Sequence, residues 1–386
     1  MRVLVFPFAL AALLGAALVR VPRLPAREPT VPLLLAAALA VVLVLDAVLG
    51  EVDPLDYRIA LLLPILFFGS NLARAAERVR LAELAWWSLT AYVVATAALA
   101  WFAPPPAFVR GRADLVRLDF SGSLVAHAGL CTIHLVATLA RLAARRGALV
   151  RFGHGGLALL AGAMVLATGT RTALAALFLS FAFDFATASR PSRPRRRILV
   201  YATGLCAAIG LYSISVSDDF VERLFFGSGA DWSSGRLASQ LFWLLLALER
   251  PWGSGFGAVR ERLRDGRPSL DGTNHLEWPH NEPLRFFVEA GVVGLFFVGL
   301  LVGWLVRRTL RAARCERDEE RRALLSAIAA DMITQCLFQN YFNNIYYATT
   351  LCTLLVVLIE QAERRDETTR APAHARAPLS NPAPAT

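Results

Sequence analysis

The chain has little charge, no lysine and no paired cysteines. Of its 386 residues, 18% are charged and 56% are hydrophobic, with a mean hydropathy of +0.49. A soluble domain has about one-quarter charged residues, so this composition favours an integral membrane protein. All 40 basic residues are arginine, and many lie in short links between apolar runs rather than on one nucleic-acid-binding face. The five cysteines form no CxxC pair, which argues against a disulfide framework or a zinc knuckle.

What the chain has instead is a series of membrane-length apolar runs. A helix needs about 20 apolar residues to cross the hydrocarbon layer. The first run has only Arg2 before it but Arg20, Arg23 and Arg27 after it, so we interpret it as a span and not as a cleaved signal peptide. Eleven runs qualify: 3–19, 31–50, 58–73, 81–103, 120–140, 152–168, 171–189, 197–214, 284–306, 323–343 and 345–362. The sequence therefore predicts an all-α polytopic membrane protein with about 11–12 spans.

Arginine-rich links between the runs alternate with links that are short, acidic or proline-rich. By the positive-inside rule, the arginine-rich links face the cytoplasm. The alternation then divides the chain into about eight N-terminal spans (1–214), one large outer loop (215–283), about three C-terminal spans (284–363) and a disordered cytoplasmic tail (364–386). Within the loop, Leu237 to Leu248 is apolar but too short to span, and we predict a helix lying in the outer interface.

Three residues are candidates for chemistry at the outer face. Arg171 lies at an outer turn, where it either extends to the interface or binds an anion. Arg236 opens the interfacial helix and is either an ordinary loop arginine or half of a diphosphate site. His280 precedes an apolar helix that Asn281 can cap, and it is either a general base or a hydrogen-bonding helix end. His275, Glu277 and Glu282 are competing candidates close by.

Two polar sets lie inside predicted spans. His127, Cys131 and His134 share one helix face; they lack a fourth metal ligand, so the sequence favours interhelical hydrogen bonds. Asp331, Gln335, Gln339 and Asn343 recur at every fourth position, which predicts either a polar seam between helices or a wet cavity. The glycines of 253–257 form no nucleotide loop, because the lysine such a loop needs is missing.

Three segments together resemble a known family. The segments TGTRTAL, SSGR…ALERPWGSGFG and HNEPLRFFVEAGVVGLFFVG resemble, in order and spacing, the O-antigen ligase and polymerase superfamily of bacterial envelope enzymes. The resemblance implies a GT-C type, inverting, metal-independent glycosyltransferase of the bacterial inner membrane with its active site toward the periplasm. An enzyme of this kind would need no cofactor and would take a glycan from an undecaprenyl (polyprenyl) diphosphate carrier. Family members commonly have twelve spans, one more than the chain shows.

The resemblance also implies roles for particular residues. Arg171 and Arg236 would hold the donor diphosphate, and His280 would deprotonate or position the acceptor hydroxyl. Asn281 and Gly255 would lie at the substrate, Gly255 in the turn that shapes the loop. Transfer to a lipid A–core acceptor is favoured over polymerisation of repeat units in polysaccharide synthesis. Transfer to protein hydroxyls, a transporter or flippase, and a structural scaffold remain alternatives. Membrane lipids, a carrier-linked glycan and an acceptor are the expected partners, and nucleic acid is not.

Overall fold

The computed structural model describes residues 72–73, 76, 80–102, 109–112, 115–118, 124–145, 147–168, 170–187, 236–255, 257–264, 279–339, 341 and 344–370. The predicted spans 3–19, 31–50 and 197–214, and nearly all of 58–73, lie outside these residues. The elements are α1 (Leu81–Phe102), β1 (Val109–Arg112), β2 (Leu115–Leu118), α2 (Leu124–Ala144), α3 (Ala148–Thr168), α4 (Arg171–Thr187), α5 (Arg236–Glu249), α6 (Ala258–Arg264), α7 (Glu282–Cys315), α8 (Glu319–Phe338) and α9 (Ile345–Arg370).

The predicted fold class, an all-α integral membrane protein, is confirmed. Four helices in the described part of the chain are long and apolar enough to cross a membrane: α1, α2, α3 and α7. Each coincides with a predicted span. The exception to the helical pattern is the small antiparallel hairpin β1–β2, in which Val109 pairs with Leu118 and Arg112 with Leu115. It lies in a segment that we predicted to be an irregular link.

The bundle is built around α2 and α8. α2 is buried on nearly all sides and packs against α1, α3, α4 and α8, whereas α1 and α3 keep one apolar face exposed. α8 packs against α4, α7 and α9. Small side chains permit this close packing, and many of the buried residues of α2 and α8 are alanine.

Hydrogen bonds between side chains join α1 to α2. Trp86 Nε1 donates to Thr138 Oγ1 over 3.0 Å, and Thr90 Oγ1 lies 2.9 Å from His134 Nε2. Tyr92 OH lies 2.7 Å from His127 Nδ1, and Cys131 Sγ is 3.9 Å from His127 Nε2. The predicted interhelical hydrogen bonds of His127 and His134 are therefore confirmed.

Several helix boundaries differ from the prediction, among them those of α7, α8 and α9. α8 occupies 319–338 instead of 323–343, because Asp318 caps it by accepting from the N–H groups of Glu320 and Arg321. α7 continues past residue 306 to Cys315. α9 continues to Arg370, so the predicted disordered tail cannot begin at 364.

Ion pairs explain why α9 is longer than its apolar run. Arg308 on α7 pairs with Glu360 over 2.9 Å and also with Glu363, and Arg365 pairs with Glu316 over 3.0 Å. These contacts attach the charged part of α9 to the end of α7. Residues 371–386 of the predicted tail lie outside the described residues.

The two ends of α7 define two ends of the bundle. We call the loop end the one that contains His280, Asn281 and the C-terminus of α8 at Leu337. We call the arginine end the opposite one, where α7 finishes at Cys315 and α8 begins at Glu319. Asn281 Nδ2 donates to the Leu337 carbonyl over 3.1 Å, so α7 and α8 meet at the loop end.

Candidate functional site

The glycine-rich turn at 253–257 docks onto a break in α7. Gly291 has φ 64° and ψ −154°, which interrupts the helix and divides α7 into a short segment before Gly291 and a long one after it. Sequence reasoning missed this break, because Gly291 stands in an uninterrupted apolar run and its partner lies about 40 residues earlier in the chain.

Backbone groups of the turn occupy the hydrogen-bonding positions that the break vacates. The N–H groups of Ser254 and Gly255 donate to the carbonyl oxygens of Val288 and Glu289, both over 2.9 Å. In the other direction, the Val292 N–H donates to the Pro251 carbonyl over 2.9 Å. A buried helix end without such partners would be costly, so the turn completes the helix rather than merely covering it.

The close approach of the two backbones requires glycine on both sides. A Cβ added at Gly291 would lie 2.3 Å from the Pro251 carbonyl oxygen, and one at Gly253 would lie 2.5 Å from the main-chain carbonyl oxygen of Glu289. Gly253, Gly255 and Gly257 also have φ near 90°, which L side chains rarely adopt. Gly255, which the resemblance places at the substrate, is thus part of a rigid junction between the turn and α7.

A buried group of charged side chains supports the junction from within α7. Glu282, Arg285 and Glu289 are 0%, 5% and 2% exposed. Arg285 Nε lies 3.1 Å from Glu289 Oε2, and Arg285 Nη1 lies 3.8 Å from Glu282 Oε2. The other oxygen of Glu289 accepts from the Gly257 N–H over 3.3 Å. Glu289 therefore ties the turn to the ion-paired face of α7.

Sequence reasoning considered Glu282 as a general base but missed Arg285 and Glu289. In the structure, Glu282 lies 3.8 Å from the buried Arg285. The signal was present: acidic and basic residues at positions i, i+3 and i+7 share one helix face in a segment otherwise rich in phenylalanine and valine.

His280 stands immediately before α7 in an unusual backbone conformation. Its φ of 48° is the only positive value of a non-glycine residue among the residues described. A left-handed conformation at such a residue costs about 1–3 kcal/mol and persists only when neighbouring contacts impose it.

Neighbouring contacts hold His280 from both sides. The Pro279 carbonyl accepts a hydrogen bond from Gln240 of α5 over 3.3 Å. Asn281 caps α7, because its Oδ1 accepts from the Leu284 N–H over 2.9 Å, and its Nδ2 reaches α8 at Leu337. The capping role predicted for Asn281 is confirmed. Three helices thus fix the position of the histidine.

α5 lies beside this junction. Its Trp243, Leu246 and Ala247 pack with Val259 of α6 and Val288 of α7 in one small apolar cluster. The opposite side of α5 exposes a leucine stripe, and Trp252 just after the helix is 75% exposed. The stripe comprises Leu241, Leu244, Leu245 and Leu248. An apolar face of this kind favours the predicted position in the membrane interface.

The two predicted diphosphate arginines begin helices. Arg171 is the first residue of α4, after the tight turn that follows α3, and Arg236 is the first residue of α5. Their side chains lie outside what the structure describes. His280 and Asn281 lie at the start of α7, after Pro279, which Gln240 of α5 contacts, and Gly255 contacts α7 further along, at Glu289. The joint binding of a diphosphate by Arg171 and Arg236 stays a prediction.

Of the polar residues that recur at every fourth position from Asp331, the first two, Asp331 and Gln335, form a seam between helices. Gln335 Nε2 donates to both oxygens of Asp331 over 2.9 and 2.8 Å, and Tyr347 OH of α9 donates to Asp331 Oδ2 over 2.5 Å. Gly129 of α2 leaves space for this group, since a Cβ there would lie 2.0 Å from Tyr347 OH. Gln339 forms the C-terminal cap of α8, and Asn343 lies outside the described residues.

Comparison with known proteins locates the junction within a recognised family region. Residues 156–299 match the family model described as O-Antigen ligase. This region includes α4, the glycine-rich turn and the first part of α7. The match confirms the resemblance to the O-antigen ligase and polymerase superfamily. A search of the curated proteins finds no match.

Proposed function

We propose that this multi-pass membrane protein, whose residues 156–299 match the O-antigen ligase family, is an inverting glycosyltransferase of the ligase type. It moves a glycan from an undecaprenyl diphosphate carrier to a hydroxyl of a lipid A–core acceptor. The reaction takes place at the periplasmic face of the inner membrane. The observation that carries the proposal is the left-handed His280, held between α5, α7 and α8.

The proposed step is a single displacement. The acceptor oxygen attacks the anomeric carbon from the face opposite the diphosphate, and His280 accepts the hydroxyl proton as the new bond forms. The bond from the anomeric carbon to the diphosphate oxygen breaks, and its electron pair leaves with the diphosphate. Arg171 and Arg236 stabilise the negative charge that develops on this leaving group.

A fixed histidine suits this chemistry better than a mobile one. Imidazole titrates near neutral pH, and a base works efficiently only when it is held within hydrogen-bond distance of the proton it removes. A strained backbone conformation is a frequent feature of functional sites. The contacts of Pro279 and Asn281 therefore support a role for His280 in transfer.

The broken helix α7 also has a counterpart in transporters, where freed carbonyl groups coordinate ions. Here the carbonyl groups of Val288 and Glu289 accept hydrogen bonds from the glycine-rich turn. This observation favours a rigid enzyme site over an ion path at Gly291.

The test separates the imidazole from the backbone conformation. In the source strain, we would express His280→Ala, His280→Asn and, as the matched control, His275→Ala, and display envelope glycans on a gel with protein abundance measured. Asparagine tolerates the left-handed conformation but is no base. We expect both His280 variants to lose transfer by at least about 100-fold, the typical share of a general base, with His275→Ala active.

The residual glycans identify the reaction. Long chains that accumulate on the carrier indicate a ligase, whereas single capped repeats indicate a polymerase of the same superfamily. An active His280→Asn at normal abundance would show that only the backbone conformation matters, and the proposed proton transfer would be rejected.

A further inference from the structure

A polar cavity lies at the arginine end, remote from the junction at Gly291. Its volume is about 300 Å³, and the start of α1, the end of α2 and the start of α8 line it. One water occupies about 30 Å³, so the cavity has room for a hydrated phosphate group. Four arginines and three carboxylates line it, which leaves an excess of one positive charge.

The positive charge is concentrated at Arg141 and Arg145, which share one carboxylate. Arg141 Nε lies 3.1 Å from Glu320 Oε2, and Arg145 Nε lies 3.3 Å from Glu320 Oε1. The other two arginines each have a carboxylate of their own, Arg80 with Glu83 at 3.4 Å and Arg321 with Asp318 at 3.7 Å. Arg141 and Arg145 therefore carry the positive charge that the carboxylates lining the cavity do not balance.

Arg141 is pre-positioned for an anion. Its side chain is 9% exposed, and its guanidinium carbon lies 4.1 Å from the centroid of the Trp86 ring. The ring fixes the plane of the guanidinium, and the Glu320 contact fixes its Nε edge. A planar guanidinium held in this way presents its remaining donors in the fork geometry that suits phosphate oxygens.

The surroundings of the cavity favour a lipid as the source of the phosphate. Leu84 and Trp87 of α1, one turn from the cavity, are 55% and 58% exposed. Acyl chains could pack on these side chains while the headgroup occupies the cavity. On the predicted topology this end faces the cytoplasm, where the membrane leaflet is rich in anionic lipids.

We propose that this cavity binds the phosphate group of an anionic phospholipid from the adjacent leaflet, with Arg141 and Arg145 as its ligands. The lipid then holds together α1, α2 and α8, whose ends form the cavity. This binding site is separate from the proposed glycan transfer, and its test does not use transfer activity.

The test is lipid retention by the full chain in detergent, followed by native mass spectrometry. The delipidated protein is titrated with phosphatidylglycerol, with phosphatidylcholine of the same acyl chains, and with inorganic phosphate alone. We expect phosphatidylglycerol to bind more tightly than phosphatidylcholine. Arg145→Gln should weaken phosphatidylglycerol binding about fivefold, the loss typical of one arginine at an anionic lipid surface.

The control is Arg314→Gln, which removes an exposed arginine of α7 that does not line the cavity. It should bind phosphatidylglycerol as the unaltered protein does. Arg141→Gln should lose more than Arg145→Gln. If Arg141→Gln fails to fold, Arg145, whose side chain is 53% exposed, still decides the question.

Three results would overturn the proposal. Equal affinity for phosphatidylglycerol and phosphatidylcholine would show that the site does not select an anionic headgroup. An equal loss of phosphatidylglycerol binding in Arg145→Gln and Arg314→Gln would show that the cavity is not the binding site. Binding of inorganic phosphate as tight as that of phosphatidylglycerol, with the same loss in Arg145→Gln, would assign the site to soluble phosphate instead of lipid.

Discussion

The loop end and the arginine end of the bundle are held together by different kinds of contact. At the loop end, the glycine-rich turn and α7 meet through main-chain hydrogen bonds, at a distance that only glycine permits. At the arginine end, α2, α4 and α8 meet through arginine–carboxylate pairs such as Arg322 with Asp184 at 3.2 Å, and α7 meets α9 in the same way. Main-chain contacts fix a geometry closely. Ion pairs between long charged side chains can adjust, and salt weakens those that are exposed. The proposed catalytic histidine lies at the end with the fixed geometry.

The largest expected effect comes from a methyl group at the loop end. Gly291→Ala adds a Cβ 2.3 Å from the Pro251 carbonyl and forces a left-handed conformation on alanine. We expect it to lower the free energy of unfolding by about 4 kcal/mol and to abolish transfer. Thermal unfolding of the purified protein in detergent measures this change.

Gly299→Ala is the control for that substitution. It lies on the same helix, and a Cβ there would have no neighbour within 4 Å, so alanine should stabilise α7 slightly. Equal stability of the two variants would show that the junction has no rigid geometry.

A smaller effect is expected from the charged group beside the junction. Glu289→Gln keeps an acceptor for the Gly257 N–H but removes the closer of the two carboxylates that the structure places at the buried Arg285. Glu282 remains 3.8 Å away, so the loss should be roughly 2–3 kcal/mol, below that of a fully orphaned buried charge. Urea unfolding in mild detergent would measure it. Glu249→Gln, at an exposed position on α5, should change little, and a comparable loss there would contradict the prediction.

The smallest effect is expected at the arginine end. Arg365→Gln removes the 3.0 Å pair with Glu316, but the Arg365 side chain is 44% exposed. We expect a loss below about 0.5 kcal/mol that disappears in about 0.5 M salt. Melting temperatures at low and high salt provide the measurement. A large, salt-independent loss would mean that this end, too, depends on fixed geometry.

The sequence predicted the parts of the fold that depend on local pattern. Runs of apolar residues predicted α1, α2, α3 and α7 as spans, and the capping of α7 by Asn281 was also predicted. It did not predict the break at Gly291, because that break is stabilised by a turn far away in the chain. It also ended α9 too early, since the ion pairs of Glu363 and Arg365 that extend it involve residues about 50 positions away.

The buried charges of α7 show a further limit of pattern reading. The spacing of Glu282, Arg285 and Glu289 places them on one helix face, but only their burial and their ion pairs show that they form one group inside the protein. Hydropathy counts each residue separately, so it cannot distinguish a paired charge inside a bundle from a solvated one.

The main-chain character of the loop junction leaves the neighbouring side chains open to variation. Ser254 donates to α7 through its backbone N–H, and Trp252, beside the glycines, points its ring into the surroundings. Small side chains at position 254, where the serine hydroxyl oxygen is buried, and a wide range of side chains at position 252 should leave the hydrogen bonds of the junction in place. For the proposed transfer, this means that side chains on the turn can be exchanged while the main-chain scaffold of α7 stays the same.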